Sequence, residues 1–251
     1  MSASTLSTDA RTADRDAAGR RPAAMLRAAL VLLALFVVVG VAMTLGTTPF
    51  VQPLDDWWRG VVGAAPDSSL YHGPVPMFFQ YLGELPGAIV AVVVIPLLLV
   101  LVGRWRSALF FLSSYAAMTL ATQVVKNLVD RPRPAPDAAA GLYGPLFKVD
   151  HGSFPSGHAA AVGLLVVSVA ALIPSGRGAL RRTWWVIGAL LMVGIVWQRT
   201  LVNAHWLSDT LTGLVAGAGC GLLIWWAYRP GLQQDYGRPV WFVHRAQAVA
   251  R

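Results

Sequence analysis

Three groups of polar residues interrupt an apolar chain, and each carries side chains suited to a tetrahedral oxyanion. The central one is Ser153-Phe154-Pro155-Ser156-Gly157-His158. Pro155 favours a non-helical approach, Ser156 can cap, and the residues from Gly157 onward read as helix. A helix opening this way aims several unpaired backbone N–H groups, and partial positive charge, at one spot. Gly157 lets an oxyanion approach the main chain closely, and His158 offers a titratable proton beside it. Upstream stand Lys126 and, after six residues, Arg133-Pro134; downstream stand Arg199, His205 and Asp209. Two long cations, one a planar fork, suit the non-bridging oxygens of a phosphate. His205 and Asp209 are four apart, hence on one helical face, where the carboxylate can fix the tautomer and stabilise an imidazolium. An imidazole so held can attack phosphorus and form a phosphohistidine that water resolves. His158 can protonate the leaving group and then activate that water.

The elements that position these residues follow from composition. The chain has 251 residues, 56% hydrophobic and 13% charged, and apolar runs near the length of a membrane span recur. This predicts an all-α integral membrane bundle. Its net charge of +8 fits membrane topology and anionic lipid better than nucleic acid. Cys220, the one cysteine, excludes an internal disulfide and reads as packing. Residues 1–24 read as a disordered tail, 25–229 as a six-span membrane domain and 230–251 as a polar C-terminal tail. The expected spans are Ala28 to Leu45, Met77 to Val102 with a kink or late start at Pro86 and Pro96, and Ala108 to Val125. Gly157 to Ile173, Trp184 to Val196 and Trp206 to Tyr228 complete the six. Between the first two, Pro53 to Arg59 predicts a short interfacial helix anchored by Trp57 and Trp58.

Six spans place both termini on one side, which holds fourteen Lys and Arg against six on the other. The termini are therefore expected in the cytoplasm and the polar groups outside it. Five of those six outer charges crowd into the two loops that also hold His158, His205 and Asp209, where a ligand explains them better than topology does.

Lys126-x6-Arg133-Pro134, Pro155-Ser156-Gly157-His158 and Arg199-x5-His205-x3-Asp209 resemble the three signature motifs of the type 2 phosphatidic acid phosphatases. The resemblance covers roughly residues 77–228 and the order of the spans. It implies a metal-independent phosphatase without cofactor, with His205 as nucleophile, Asp209 as its orienting partner and His158 as general acid. Lys126, Arg133, Ser156, Gly157 and Arg199 would bind the phosphoryl group. The family commonly has Ser before the third-motif Arg; here Gln198 stands there, which puts one phosphate contact in doubt. The resemblance implies a plasma-membrane enzyme acting on lipid phosphates or polyprenyl diphosphates at the outer face. The outward site favours undecaprenyl diphosphate as substrate; phosphatidylglycerol phosphate, phosphatidic acid or transfer to another acceptor are the alternatives.

Taken singly, Lys126 would be a snorkelling anchor, Arg131 and Arg133 loop charges and His205 an interfacial histidine. Asp209 is harder to dismiss, because a carboxylate just inside a span is costly unless paired. Lys148, Asp150 and His151 read as a solvated loop that could shape the mouth of the site. His72 and His244 have no partners in sequence. No Gly-rich nucleotide loop and no acidic metal cluster occurs. The small residues Gly213, Ala216, Gly217, Gly219 and Gly221 predict close helix packing, with an oligomer possible but not indicated. A vanadate-dependent haloperoxidase shares such a pocket but is soluble, and a transporter would carry its polar groups near mid-span.

Overall fold

A computed structural model describes residues 21–45 and 48–236. Its described residues form eight helices. These are α1 (Ala23–Met43), α2 (Gln52–Val62), α3 (Pro74–Gly83), α4 (Leu85–Leu101), α5 (Trp105–Leu128), α6 (Gly157–Leu172), α7 (Gly178–Leu201) and α8 (Leu207–Tyr236). The architecture is all-α, as the apolar periodicity predicts.

Proline and glycine set the breaks. Pro74 opens α3 and Pro86 opens α4, where a missing N–H costs nothing. Between them the chain bends by 54° at Glu84. Within α4 a π-helical stretch, Val90–Val94, precedes Pro96 and absorbs the hydrogen bond that the ring removes. The kink read from Pro86 and Pro96 is thus a bend at the first and a widened turn at the second.

Four helices, α1, α5, α7 and α8, are long and apolar enough to cross a bilayer, and the bent α3–α4 pair makes five if it counts as one span. Helix α6 ends one residue before the expected limit at Ile173, and its 16 residues rise only about 24 Å, less than the four longer helices. Ten of those sixteen residues are buried, so α6 is sheathed mainly by protein. Helix α8 also runs on past the expected limit at Tyr228, through Pro230 to Tyr236. The buried Asp235 explains this, because its carboxylate accepts from the Ser107 N–H at 2.8 Å and the Ser107 hydroxyl at 2.9 Å and ties the end of α8 to the start of α5. His244 and most of both expected tails lie outside the described residues.

Helices α6 and α8 approach each other closely. A Cβ added at Gly217 would lie 1.9 Å from the Ala160 carbonyl oxygen, and one at Gly213 2.4 Å from that of Ser156. The small-residue run therefore does what its composition predicts: it seats the opening of α6 directly on the first turns of α8. From Val129 to Ser156 the chain is largely irregular and is pinned by Phe154, wholly buried against Phe36, Met43, Val129 and Ala216. Helix α2 packs beneath this segment with Asp55 and Arg59 buried, while Trp57 stays 60% exposed.

Candidate active site

The N-terminus of α6, the last turns of α5 and α7, the bend after α3 and the turn before α8 converge on one cleft of about 350 Å³. Lys126, Arg133, Gly157, His158, Arg199 and His205 all line it. A Cβ on Gly157 would meet no heavy atom within 4 Å, so there is room beside that main chain for an oxyanion. His158 packs tightly against Gly83, where an added Cβ would fall 2.1 Å from its ring. His158 Nε2 and Arg199 Nε are buried without a protein partner. In a cleft already rich in cations, such unspent polar atoms suit an anionic ligand.

Two of the eight residues predicted for this site stand behind it. Ser156 is fully buried and spends its Oγ as the α6 cap, accepting from the Ala159 N–H at 3.4 Å. Its own N–H donates to the Asp209 carbonyl at 3.1 Å. Asp209, also fully buried, approaches His205 Nδ1 only to 3.8 Å. The direct acceptor of Nδ1–H is the Ser153 carbonyl at 2.7 Å. Asp209 acts at one remove, through the Ser153 hydroxyl (2.5 Å) and the Trp206 N–H (3.0 Å), both of which donate to Oδ2. With Nδ1 protonated, Nε2 carries the lone pair, and Arg133 Nη1 donates to it at 3.2 Å. Burial pushes the His205 imidazole down to about 4, opposed by Asp209 and reinforced by Arg133 and Arg199, so it is neutral at physiological pH.

Asp209 is held from its other side by Arg131. Arg131 Nη1 donates to Asp209 Oδ1 and Nη2 to Asp55 Oδ2, each at 2.6 Å. Ser208 completes the network: its N–H and hydroxyl donate to Asp55 at 2.8 and 2.6 Å, and its Oγ accepts from Arg131 at 2.7 Å. The Trp206 ring packs on the Arg131 and Arg59 guanidinium groups, with centroids 5.4 and 5.5 Å away. Arg131, read as a loop charge from sequence, is thus the clamp that ties α2 to the imidazole's support. The only hint in sequence was two acidic residues, Asp55 and Asp209, each beside apolar segments and in need of a cation.

Asp150 is the second residue the spacing concealed. Its Oδ2 accepts from Lys126 Nζ at 3.1 Å, its Oδ1 from Arg133 Nη2, and its carbonyl from Arg133 Nε at 3.1 Å. Burial would raise its pKa, but Lys126 and Arg133 outweigh that and hold the carboxyl below its usual range. One carboxylate therefore bridges the very cations assigned to phosphate. Lys148 is exposed at the rim of the same cleft. Gln198 is fully buried, is not among the lining residues, and donates to Gln80 Oε1 at 2.9 Å.

An apolar groove of about 270 Å³ adjoins the cleft and shares Gly83, Tyr115 and Ala161 with it. Phe78, Leu82, Val90 and Phe111 are among its walls, on α3, α4 and α5.

No curated protein matches the chain. A transmembrane PAP2-type phosphatidylglycerolphosphate phosphatase from Bacillus subtilis, known from its crystal structure, shares the fold with a TM-score of 0.64. That likeness runs at 20% sequence identity over 78% of this chain and 93% of the other. Residues 107–231, which hold all three polar groups, match the PAP2 superfamily. With the motifs converging on one cleft in a shared fold, the chain belongs to the PAP2 superfamily.

Proposed function

We propose that this phosphatase hydrolyses lipid phosphates and diphosphates through a phosphohistidine, without a metal, at the outer face of the plasma membrane. The observation that carries the reading is the convergence of three cations and two imidazoles on one cleft beside an apolar groove. Lys126, Arg133 and Arg199, with the α6 N-terminus, take the phosphoryl oxygens and offset the charge that a metal would otherwise offset. His205, neutral and oriented by Ser153 and Asp209, attacks phosphorus through Nε2 once Arg133 turns from that nitrogen to the phosphate. The P–O bond to the leaving group breaks as the P–N bond forms, and His158 delivers a proton to the departing oxygen. His158 then takes a proton from water, which attacks phosphorus and restores His205. Ser156 serves the pocket by capping α6 and Asp209 by holding the imidazole from behind.

The groove suits an acyl or isoprenoid tail, so the lipid reaches the cleft sideways from the bilayer. In this reading the chain crosses six times, with α3–α4 as one bent span and α6 as a short sheathed one, so both termini share a side, and the Lys and Arg count supports the cytoplasm for them. Among substrates we favour undecaprenyl diphosphate, because Lys148 at the rim offers a fourth cation for a second phosphate. Phosphatidylglycerol phosphate or phosphatidic acid is the alternative, the first being the substrate of the Bacillus phosphatidylglycerolphosphate phosphatase. The test is phosphate release by purified protein in detergent with chelator present, from undecaprenyl diphosphate and from phosphatidic acid. Release from either, abolished in His205→Ala, supports the reading. Activity that needs a divalent cation, or that survives His205→Ala, contradicts it.

A further inference from the structure

Arg199 is a long, flexible cation with 2% exposure, and in a phosphate site its fork has to face the cleft before the ligand arrives. One residue holds it there. Gln80, on α3, accepts from Arg199 Nη1 at 2.9 Å on the same Oε1 that accepts from Gln198 at 2.9 Å. A guanidinium only donates, so Oε1 has to face Arg199 and the Gln80 NH₂ has to face away. That NH₂ finds Glu84 Oε1 at 2.5 Å, at the 54° bend. Glu84 lines the same cleft as Arg199. The break in the helix therefore carries a purpose: it swings α3 across the mouth of α7 so that one amide sits between a cation and a carboxylate.

We infer that Gln80 is the positioning residue for Arg199, and that Gln198, standing where the family commonly has Ser, serves by locking Gln80 and makes no phosphate contact itself. The inference rests on the phosphatase reading, since it takes Arg199 as a phosphate ligand. Both lone pairs of Oε1 are filled and its NH₂ is held by Glu84, so the amide cannot turn, and it anchors Arg199 Nη1 while leaving the other guanidinium donors for the ligand. Exchanging Ser for Gln at position 198 adds length enough to reach α3, so the contact to the anion is replaced by a contact to the residue that aims its neighbour.

The experiment is a double-mutant cycle on detergent-purified protein. It reads binding of inorganic phosphate by calorimetry and kcat and KM on phosphatidic acid, for wild type, Gln80→Leu, Arg199→Ala and the pair. The expected result is a loss of phosphate affinity on the order of tenfold in Gln80→Leu, with KM moving more than kcat, and less than about twofold further loss on the Arg199→Ala background. Equal losses on both backgrounds would mean a merely structural role and would overturn the inference. Should Gln80→Leu fail to fold, Gln80→Glu keeps the volume and the acceptor but partly neutralises Arg199. It should lose affinity at least tenfold, and unchanged affinity there overturns the inference. Gln198→Ser should weaken binding only when Gln80 is present, whereas a loss that persists in Gln80→Leu would mean a direct phosphate contact. Wild-type protein that binds phosphate but releases none from lipid separates the two ideas: the phosphatase reading fails while the cycle still reads Gln80. Wild type that neither binds nor hydrolyses removes both.

Discussion

Replacing Asp150 by Asn should make the enzyme bind phosphate more tightly. The Asp150 carboxylate pairs with Lys126 Nζ and Arg133 Nη2. A phosphoryl group has to displace it to reach both cations. The carboxylate is tethered, so it competes with every anionic ligand by the same factor, and each apparent affinity falls by the fraction of time the cations are free. Its side chain is 59% exposed, which keeps each ion pair toward the weak end of the range for surface pairs. Two such pairs sharing one carboxylate contribute about 0.5–1.5 kcal/mol, or roughly a two- to twelvefold change in apparent affinity. Asn preserves the shape and the backbone contact from Arg133 Nε while removing the charge. KM for a lipid phosphomonoester and Ki for inorganic phosphate and for vanadate should therefore all fall by one common factor. The effect should shrink as ionic strength rises above physiological, because the Debye length there is about 8 Å. A rise in KM would refute the reasoning, showing that Asp150 is needed to hold Lys126 and Arg133 in place for substrate. Unequal factors for phosphate and vanadate would refute the common displacement step.

Three further outcomes follow from the same geometry. Arg131→Met leaves Asp55 and Asp209 buried without their shared cation, which should cost about 3–5 kcal/mol of stability in a denaturant or thermal titration. Adding Asp55→Asn should recover part of it. Acid should act on His205 late: its imidazole is held down to about 4, so the acid limb of kcat/KM that belongs to it should lie near pH 4 and not near 6.5. By linkage the unfolded chain binds more protons between those values, so the stability this group confers is complete above about pH 6.5 and is lost as pH falls toward 4; a pH series of thermal midpoints checks the sign. Gly217→Val would drive a side chain into the Ala160 carbonyl, which an added Cβ already meets at 1.9 Å, and should cost about 1–3 kcal/mol or more and misplace the α6 opening. Its kcat should fall even in protein that remains folded by circular dichroism, and unimpaired turnover would count against the α6–α8 contact as the support of the site.

The parts of this molecule that sequence made legible are those governed by local physics. Apolar runs, the Ser156 cap, the prolines of α3 and α4 and the small-residue face of α8 each follow from residues near one another in the chain. The cleft itself was legible because its cations and imidazoles are chemically unusual at the ends of apolar segments. What escaped was set by tertiary partners. Arg131 and Asp55 are 76 residues apart and meet only when α2 folds beneath the irregular segment. Asp150 reads as solvated loop in sequence because nothing local shows that it meets Lys126 and Arg133. Gln80 lies in an apolar stretch with no periodic signal, 119 residues from the arginine it holds. The His205–Asp209 spacing suggested direct contact, but spacing alone could not show that the Ser153 carbonyl would take Nδ1 first. Helix α6 was legible to within one residue of its end, and its shortness is offset by the protein that covers most of it.

The claim beneath all of this is that His205 Nε2 becomes bonded to phosphorus during turnover. Rapid quenching of the working enzyme under alkaline conditions, followed by peptide mass spectrometry, tests it most directly. The account predicts one phosphoryl group on the peptide carrying His205, stable to base and lost in acid, with a larger fraction trapped in His158→Ala, where water is activated more slowly. Steady turnover with that peptide unlabelled, or with the label on His158, would contradict it.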